Sequence, residues 1–459
     1  MSTGRRHVLV RVLSGGSALS IVDQGICSLS TFITTVLMAR TLTPYDFGVY
    51  SLLFATMLVV NGFSNALVSD PVKVFGVHES ADTLNEYFAC QVIYRFILGL
   101  FAATAGFIAV GIVQDAGFHN ALAFAICVFA VQFQELVRVF NATRFRWRWV
   151  LASDVANHVT RLLLLLLLAN AHLLEVDTGL YAIAAGGVVG SLVSTLGGAT
   201  IKRPSFHRVE AELWRNWAYG KWLLIESVVF VASSQAYLYL IALWVDVESV
   251  GAFSAAQTLV GSLNVLLIGI TSYSIPVARR SLIHDGYKAW RQWLSKVGLA
   301  ATGLAAIACV ILSIGARPLL GYVFALGYAQ YAYLVPMLGL VMVLTVVNSM
   351  LSIAFRTAEM PQVGFFAKSV SAVITGVIAY PLIQLWGVAG AATGLIITQL
   401  CWLAVYSFHL FLRKTINEQR IDHIKAALRS SASTEGCRAA KIDDDGQVPS
   451  LPGHLVKQQ

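Results

Sequence analysis

The sequence predicts an all-α integral membrane protein with about twelve transmembrane helices in two six-helix bundles related by a parallel internal repeat. Three observations carry that expectation: an oily composition, evenly recurring apolar runs, and a polar break near residue 40 that is echoed near residue 243. Of the 459 residues, 57% are hydrophobic and 12% are charged, and the mean hydropathy is +0.71. A soluble core does not need so much apolar material.

A helix crossing a hydrocarbon layer of roughly 30 Å needs about 20 apolar residues. Such runs fall near 16–39, 46–68, 87–113, 117–140, 150–171 and 179–200, and again near 221–244, 250–275, 295–316, 330–354, 363–385 and 387–411. Only helices or closed barrels satisfy their backbone in lipid, and the runs lack the two-residue alternation of barrel strands.

Shifting the chain by 203 positions places Ala39 on Ala242, Gly48 on Gly251, Tyr50 on Phe253, Ser51 on Ser254 and Asn61 on Asn264. A shift of 208 places Gly179 and Gly186 on Gly387 and Gly394, near the start of the last helix of each half. Six spans per half preserve orientation, so the repeat is parallel, about an axis along the membrane normal. The expected organisation is therefore a cytoplasmic N-terminus (1–15), an N-terminal bundle (16–200), a cytoplasmic linker (201–220), a C-terminal bundle (221–412) and a cytoplasmic tail (413–459). The tail, through "RSSASTEG" and "IDDDGQ", reads as a short surface helix followed by disorder.

Lysine and arginine collect on the cytoplasmic side of short loops. One side carries Arg5, Arg6, Arg11, Arg144, Arg146, Arg148, Lys202, Arg203, Arg208, Arg215, Arg279, Arg280, Lys288, Arg291, Arg413 and Lys414. The other carries Arg40 and Arg317 beside Asp115, Glu175, Asp177, Asp246 and Glu248. Both termini are thus expected in the cytoplasm, and the net charge of +8 is explained without a nucleic-acid partner. The first apolar run lacks a cleavage site and reads as a retained span. Cys27, Cys90, Cys127, Cys309 and Cys401 fall inside spans and Cys437 in the tail, which argues against a disulfide framework or zinc site.

The break "LMARTLTPYDFGVYSL" resembles the first extracellular turn of bacterial polysaccharide-unit flippases of the multidrug, oligosaccharidyl-lipid and polysaccharide exporter superfamily. "LLGYVFALGYAQYAYLVPMLGL" and "LWGVAGAATGLIITQL" resemble later segments of the same family, so nearly the whole membrane region is covered. The resemblance implies a transporter, not an enzyme, in the bacterial inner membrane. Its cargo would be an undecaprenyl-pyrophosphate-linked oligosaccharide moved to the periplasmic leaflet, and its partners would include polysaccharide polymerisation and export proteins. "VDVESVG", in the second copy, departs from the pattern by lacking the proline. The alternatives are a cation-coupled multidrug exporter, expected to have an acidic, aromatic cavity, and a membrane glycosyl polymerase.

Within "TPYDFG", Pro44 suits a turn or first helical position, Asp46 favours a helix start, Gly48 permits close packing and Arg40 can snorkel to the interface. A charge at mid-membrane costs about 2.5 to 3.5 kcal/mol on insertion scales, so polar residues inside spans mark candidate sites. Asp154, His158 and Arg161, at i, i+4 and i+7, share one helical face. Arg95 and Arg161 suit a pyrophosphate, because a planar guanidinium matches phosphate oxygens. The competing expectation pairs Arg161 with Asp154 or His158, and Arg95 with Asp23 or Glu226. Gln257 and Asn264 lie seven residues apart on one face and complete the substrate-binding set. Asp23 and Glu226 are the coupling-ion candidates, for protons or sodium.

Arg138 and Lys368 lie near the cytoplasmic ends and are expected to snorkel. Ser20, Gln24, Cys27, Thr31 and Thr34 form a polar stripe that suits a water-lined face. Gly186, Gly190, Ser194 and Gly198 form a small-residue face that suits packing. The sequence has no phosphate-binding loop ending in lysine and a hydroxyl residue, so no cofactor and no nucleotide-driven step is expected.

Overall fold

The computed structural model describes residues 3–76, 81–112, 118–197 and 204–412, and all of the described regular structure is helical. Asp115, Gly198, Lys202, Arg203 and the tail 413–459, with Arg413, Lys414 and Cys437, lie outside the described residues, as do the side chains of Arg5, Arg6, Arg11 and Ser20.

The first half contains α1 (Thr3–Thr41), α2 (Pro44–Phe75), α3 (Ala81–Ile112), α4 (Phe118–Thr143), α5 (Trp147–Asn170) and α6 (Val176–Leu196). The second contains α7 (Phe206–Trp244), α8 (Val247–Gly261, resuming as Asn264–His284), α9 (Tyr287–Ile314) and α10 (Leu334–Thr357). Pro361–Ser407 is one helical run bent at Gly387, where φ is 54° and ψ is −131°. Its arms are α11 (361–386) and α12 (388–407). Only glycine takes this conformation without strain, so the repeat-related Gly387 marks the boundary between the last two spans.

Ten described stretches are long and apolar enough to cross a membrane. One of them, Gln362–Leu410, contains both α11 and α12, and α8, which breaks at Ser262 and Leu263, is not among the ten. The twelve expected spans are thereby accounted for. The chain starts two of them earlier than the hydropathy suggests. α1 runs from Thr3, within the segment expected as a terminal tail, and α7 runs from Phe206, within the expected linker. The early part of α7 exposes Trp214, Trp217, Tyr219 and Trp222, the amphipathic rings that favour a membrane–water boundary.

The sequence break near residue 40 folds as a capped helix start. Thr43 is the N-cap of α2; its Oγ1 accepts from the Asp46 N–H at 3.1 Å and donates to the Asp46 carboxylate at 2.6 Å, with Pro44 in the first turn. Its repeat partner Asp246 caps α8, accepting from the Ser249 N–H at 2.6 Å. Thr43 and Asp246 are 203 positions apart, as are Asp46 and Ser249. An oxygen cap does the same work in both copies, so the second copy starts its helix without the proline. Arg40 is exposed in the last turn of α1.

The two capped corners pack on each other. A Cβ on Gly251 would lie 3.0 Å from the Phe47 ring, 3.1 Å from the Pro44 carbonyl oxygen and 3.2 Å from the Gly48 nitrogen. One on Gly48 would collide with the Val247 carbonyl. The α9–α10 connection covers this crossing: Tyr328 sits edge-on to Phe47 at 5.8 Å, and Phe324 edge-on to Phe32 at 6.3 Å. The small-residue face of α6 is used for packing, with Gly186 and Gly190 against Asn157 and Gly187 against Ala130. Asn141 donates to both the Ser194 carbonyl and hydroxyl at 2.8 Å.

Candidate functional site

A cavity of about 700 Å³ lies between the halves, walled by α1 and α2 from the first and α7 and α8 from the second. The walls present Gln24, Cys27, Ser28, Thr31 and Thr35 from α1, Tyr50, Ser51 and Phe54 from α2, Gln235 from α7, and Ser254, Gln257, Thr258, Ser262 and Asn264 from α8. Repeat-related Ser51 and Ser254 face it from opposite halves. Three residues earlier in each helix, Gly48 and Gly251 pack where α2 and α8 cross. Among the described residues, the lining includes amides, hydroxyls, aromatic rings and one thiol, and no Asp, Glu, Lys or Arg.

Of the sequence-nominated site residues, Gln257 and Asn264 line the cavity. The polar stripe of α1 divides between two faces: Gln24, Cys27 and Thr31 meet the cavity, whereas Thr34 is buried. A second stripe, Asp23, Cys27 and Ser30, has the same i, i+4, i+7 spacing as Asp154, His158 and Arg161 on α5, and the two run alongside each other. At its ends, Arg138 of α4 reaches both Asp23 (2.8 Å) and Asp154 (2.6 Å), and Arg161 donates to Ser30 at 2.8 Å. Between them His158 Nε2 lies 3.1 Å from the Cys27 sulfur. Glu135 approaches Arg138 at 3.6 Å and Gln134 donates to Asp154 at 2.8 Å.

The remaining nominated groups sit elsewhere. Arg95 is 3% exposed and donates to Ser69 at 2.5 Å and to the Gln132 amide oxygen, inside the packing of α2, α3 and α4. Arg161 is 8% exposed. Neither arginine belongs to the cavity wall, and neither makes the carboxylate or histidine pairing weighed from sequence. Glu226 of α7 pairs with Lys368 of α11 at 2.5 Å, beside a smaller cavity of about 240 Å³ that also touches Arg356 and Tyr406. Both coupling-ion candidates therefore already hold a protein cation.

Arg138 and Lys368, expected to snorkel, make these pairs. The physical signal was present in the sequence: buried carboxylates require counter-charges, and few cations lie at a comparable depth. Asp23, Cys27 and Asp154 bring ligand atoms within 4.8 Å of one another. Arg138 bonds both carboxylates, however, so the positive charge a metal would supply comes from the protein.

Solved structures share this fold. The chain superposes on a protein described as lipid II flippase MurJ in an inward closed conformation, with a TM-score of 0.67 and 11% identity over 90% of each chain. A multidrug resistance MATE family transporter of the MOP superfamily in an inward-facing conformation gives 0.68 and 13%, covering 87% of this chain and 96% of that one. An outward-facing structure of such a transporter gives 0.61 and 14%, covering 90% and 96%. These likenesses define the class: a multi-pass membrane protein with the two-lobed, twelve-helix fold of flippases and exporters. No curated protein is matched in sequence. The chain belongs to the polysaccharide biosynthesis protein family, whose family model matches residues 13–282, more than half of its length.

Proposed function

We propose that the chain is a flippase that carries an undecaprenyl-pyrophosphate-linked oligosaccharide from the cytoplasmic to the periplasmic leaflet of a bacterial inner membrane, for polysaccharide biosynthesis. Both termini face the cytoplasm in this reading, following the one-sided arrangement of basic loops. The observation that carries it is the cavity shared by the two halves, whose wall of amides, hydroxyls and aromatic rings suits a glycan. Family membership supports the same biosynthetic role.

The glycan enters from the basic, cytoplasmic end, while the polyprenyl chain stays in lipid. The Gly48–Gly251 crossing separates it from the periplasm until the lobes rock and open the corner. Gln257 and Asn264 contact sugar. Polymerisation and export proteins take the product outside.

The multidrug alternative calls for an acidic cavity able to hold organic cations, and among the described residues the wall has no carboxylate. Deleting the gene and detecting lipid-linked glycans by leaflet tests the proposal. Accumulation on the cytoplasmic face is the expected result. Unchanged glycans with altered dye efflux would replace this reading with drug export, and altered sugar linkages without leaflet retention would favour a polymerase.

A further inference from the structure

From the wall of the central cavity we infer that the protein selects lipid-linked glycans whose cavity-resident sugars carry no charge, and that Gln257 and Asn264 enforce the selection. The inference rests on the flippase reading and narrows its cargo.

The amides of Gln24, Gln235, Gln257 and Asn264 come from three helices and face one space. Among the described residues, no hydrogen-bond partner is found for the side chains of Gln257 and Asn264, which face the cavity. An amide offers both a donor and an acceptor, which matches the dual character of a sugar hydroxyl. Phe32, Tyr50 and Phe54 add ring surface for the apolar C–H faces of a sugar ring.

A carboxylated or phosphorylated sugar would find no such complement. Moving an anion from water to this wall removes hydration, and no lysine or arginine among the described lining residues replaces it. A charged layer runs along the helix that carries Cys27, where Arg138 is engaged by Asp23 and Asp154, and Arg161 by Ser30. These cations are held by the protein itself.

The test uses the full chain in liposomes with two polyprenyl-diphosphate-linked oligosaccharides of equal length that differ by one glucose against one glucuronic acid. Exposure to a membrane-impermeant oxidant reports their arrival in the far leaflet. The neutral glycan should move at least about tenfold faster, because the carboxylate loses hydration without compensation. Equal rates, or faster transport of the acid, would overturn the selection. If neither glycan moves in vesicles containing folded protein, the flippase reading falls and the selection with it.

Gln257→Lys should narrow the ratio by raising transport of the acidic glycan, since it adds the missing counter-charge. Asn264→Lys provides a second position should the first variant fail to fold. A ratio unchanged in a folded variant would remove that residue from the selecting wall.

Discussion

Gly48 and Gly251, 203 positions apart in the chain, meet at one crossing of α2 and α8, each leaving room for the other helix's backbone. The relation is reciprocal: Gly251 lies against Pro44, Phe47 and Gly48, and Gly48 against Val247. Ser51 and Ser254, one turn away, line the cavity. The repeat thus places its two copies face to face at the crossing. A corner that opens during transport must separate two backbones, with little side-chain interlock to undo.

Replacing Gly251 with leucine should prevent this approach, since overpacking a close crossing costs about 1–3 kcal/mol. The periplasmic end would then remain ajar. In a cysteine-free background bearing Ser254→Cys, labelling by a membrane-impermeant thiol reagent from the periplasmic side should rise several-fold, and transport should fall. Unchanged labelling would show that the crossing is not the seal.

Arg138 neutralises two carboxylates that are almost inaccessible, Asp23 at 4% and Asp154 at 2% exposure. Arg138→Met would leave both charges buried and unpaired, a change that costs about 3–5 kcal/mol when a buried pair loses one partner. Thermal melting of the detergent-solubilised protein should show a large loss. The triple variant Arg138→Met, Asp23→Asn, Asp154→Asn should recover much of it, because it removes the stranded charges as well. Equal destabilisation of single and triple variants would show that packing, not charge, is lost.

Span count and the pseudo-symmetric corner were legible because they depend on local chemistry, namely apolar length and a repeated turn, whereas the starts of α1 and α7 were placed too late because polar residues continue those helices. The face shared by Asp154, His158 and Arg161 was legible for the same reason. Which partner each found was not, because helical periodicity fixes a face and leaves the neighbouring helix open. Arg161 thus found Ser30 of α1, and Asp154 found Arg138 of α4. Cavity residues Gln235, Tyr50 and Phe54 were missed because an isolated amide or aromatic ring in an oily span gives no distinguishing pattern.

Arg95 and Arg161 offer a direct contrast between a phosphate-binding role and a helix-joining role. Each donates to a hydroxyl on another helix and stands outside the cavity wall. Arg95→Ala and Arg161→Ala should lower stability by about 1–3 kcal/mol through the loss of charge-assisted hydrogen bonds. Transport per folded molecule should remain near normal, as measured by leaflet exchange normalised to monodisperse protein. Loss of transport at undiminished stability would assign the arginines to the pyrophosphate.

The driving force can be separated from the ion pairs. Asp23 and Glu226 hold Arg138 and Lys368, so a proton or sodium ion acting through either carboxylate must first displace an internal cation. Electrical drive needs no such rupture. Outward movement of one negative charge is favoured by about 2.3 kcal/mol per 100 mV of inside-negative potential. In liposomes, imposing that potential with a potassium gradient and valinomycin should accelerate outward movement of the diphosphate-linked glycan several-fold. Proton or sodium gradients applied with the potential clamped at zero should have little effect. The reverse pattern would show that one of the two pairs opens to admit a coupling ion, and Asp23→Asn and Glu226→Gln, assayed separately under that gradient, would identify which.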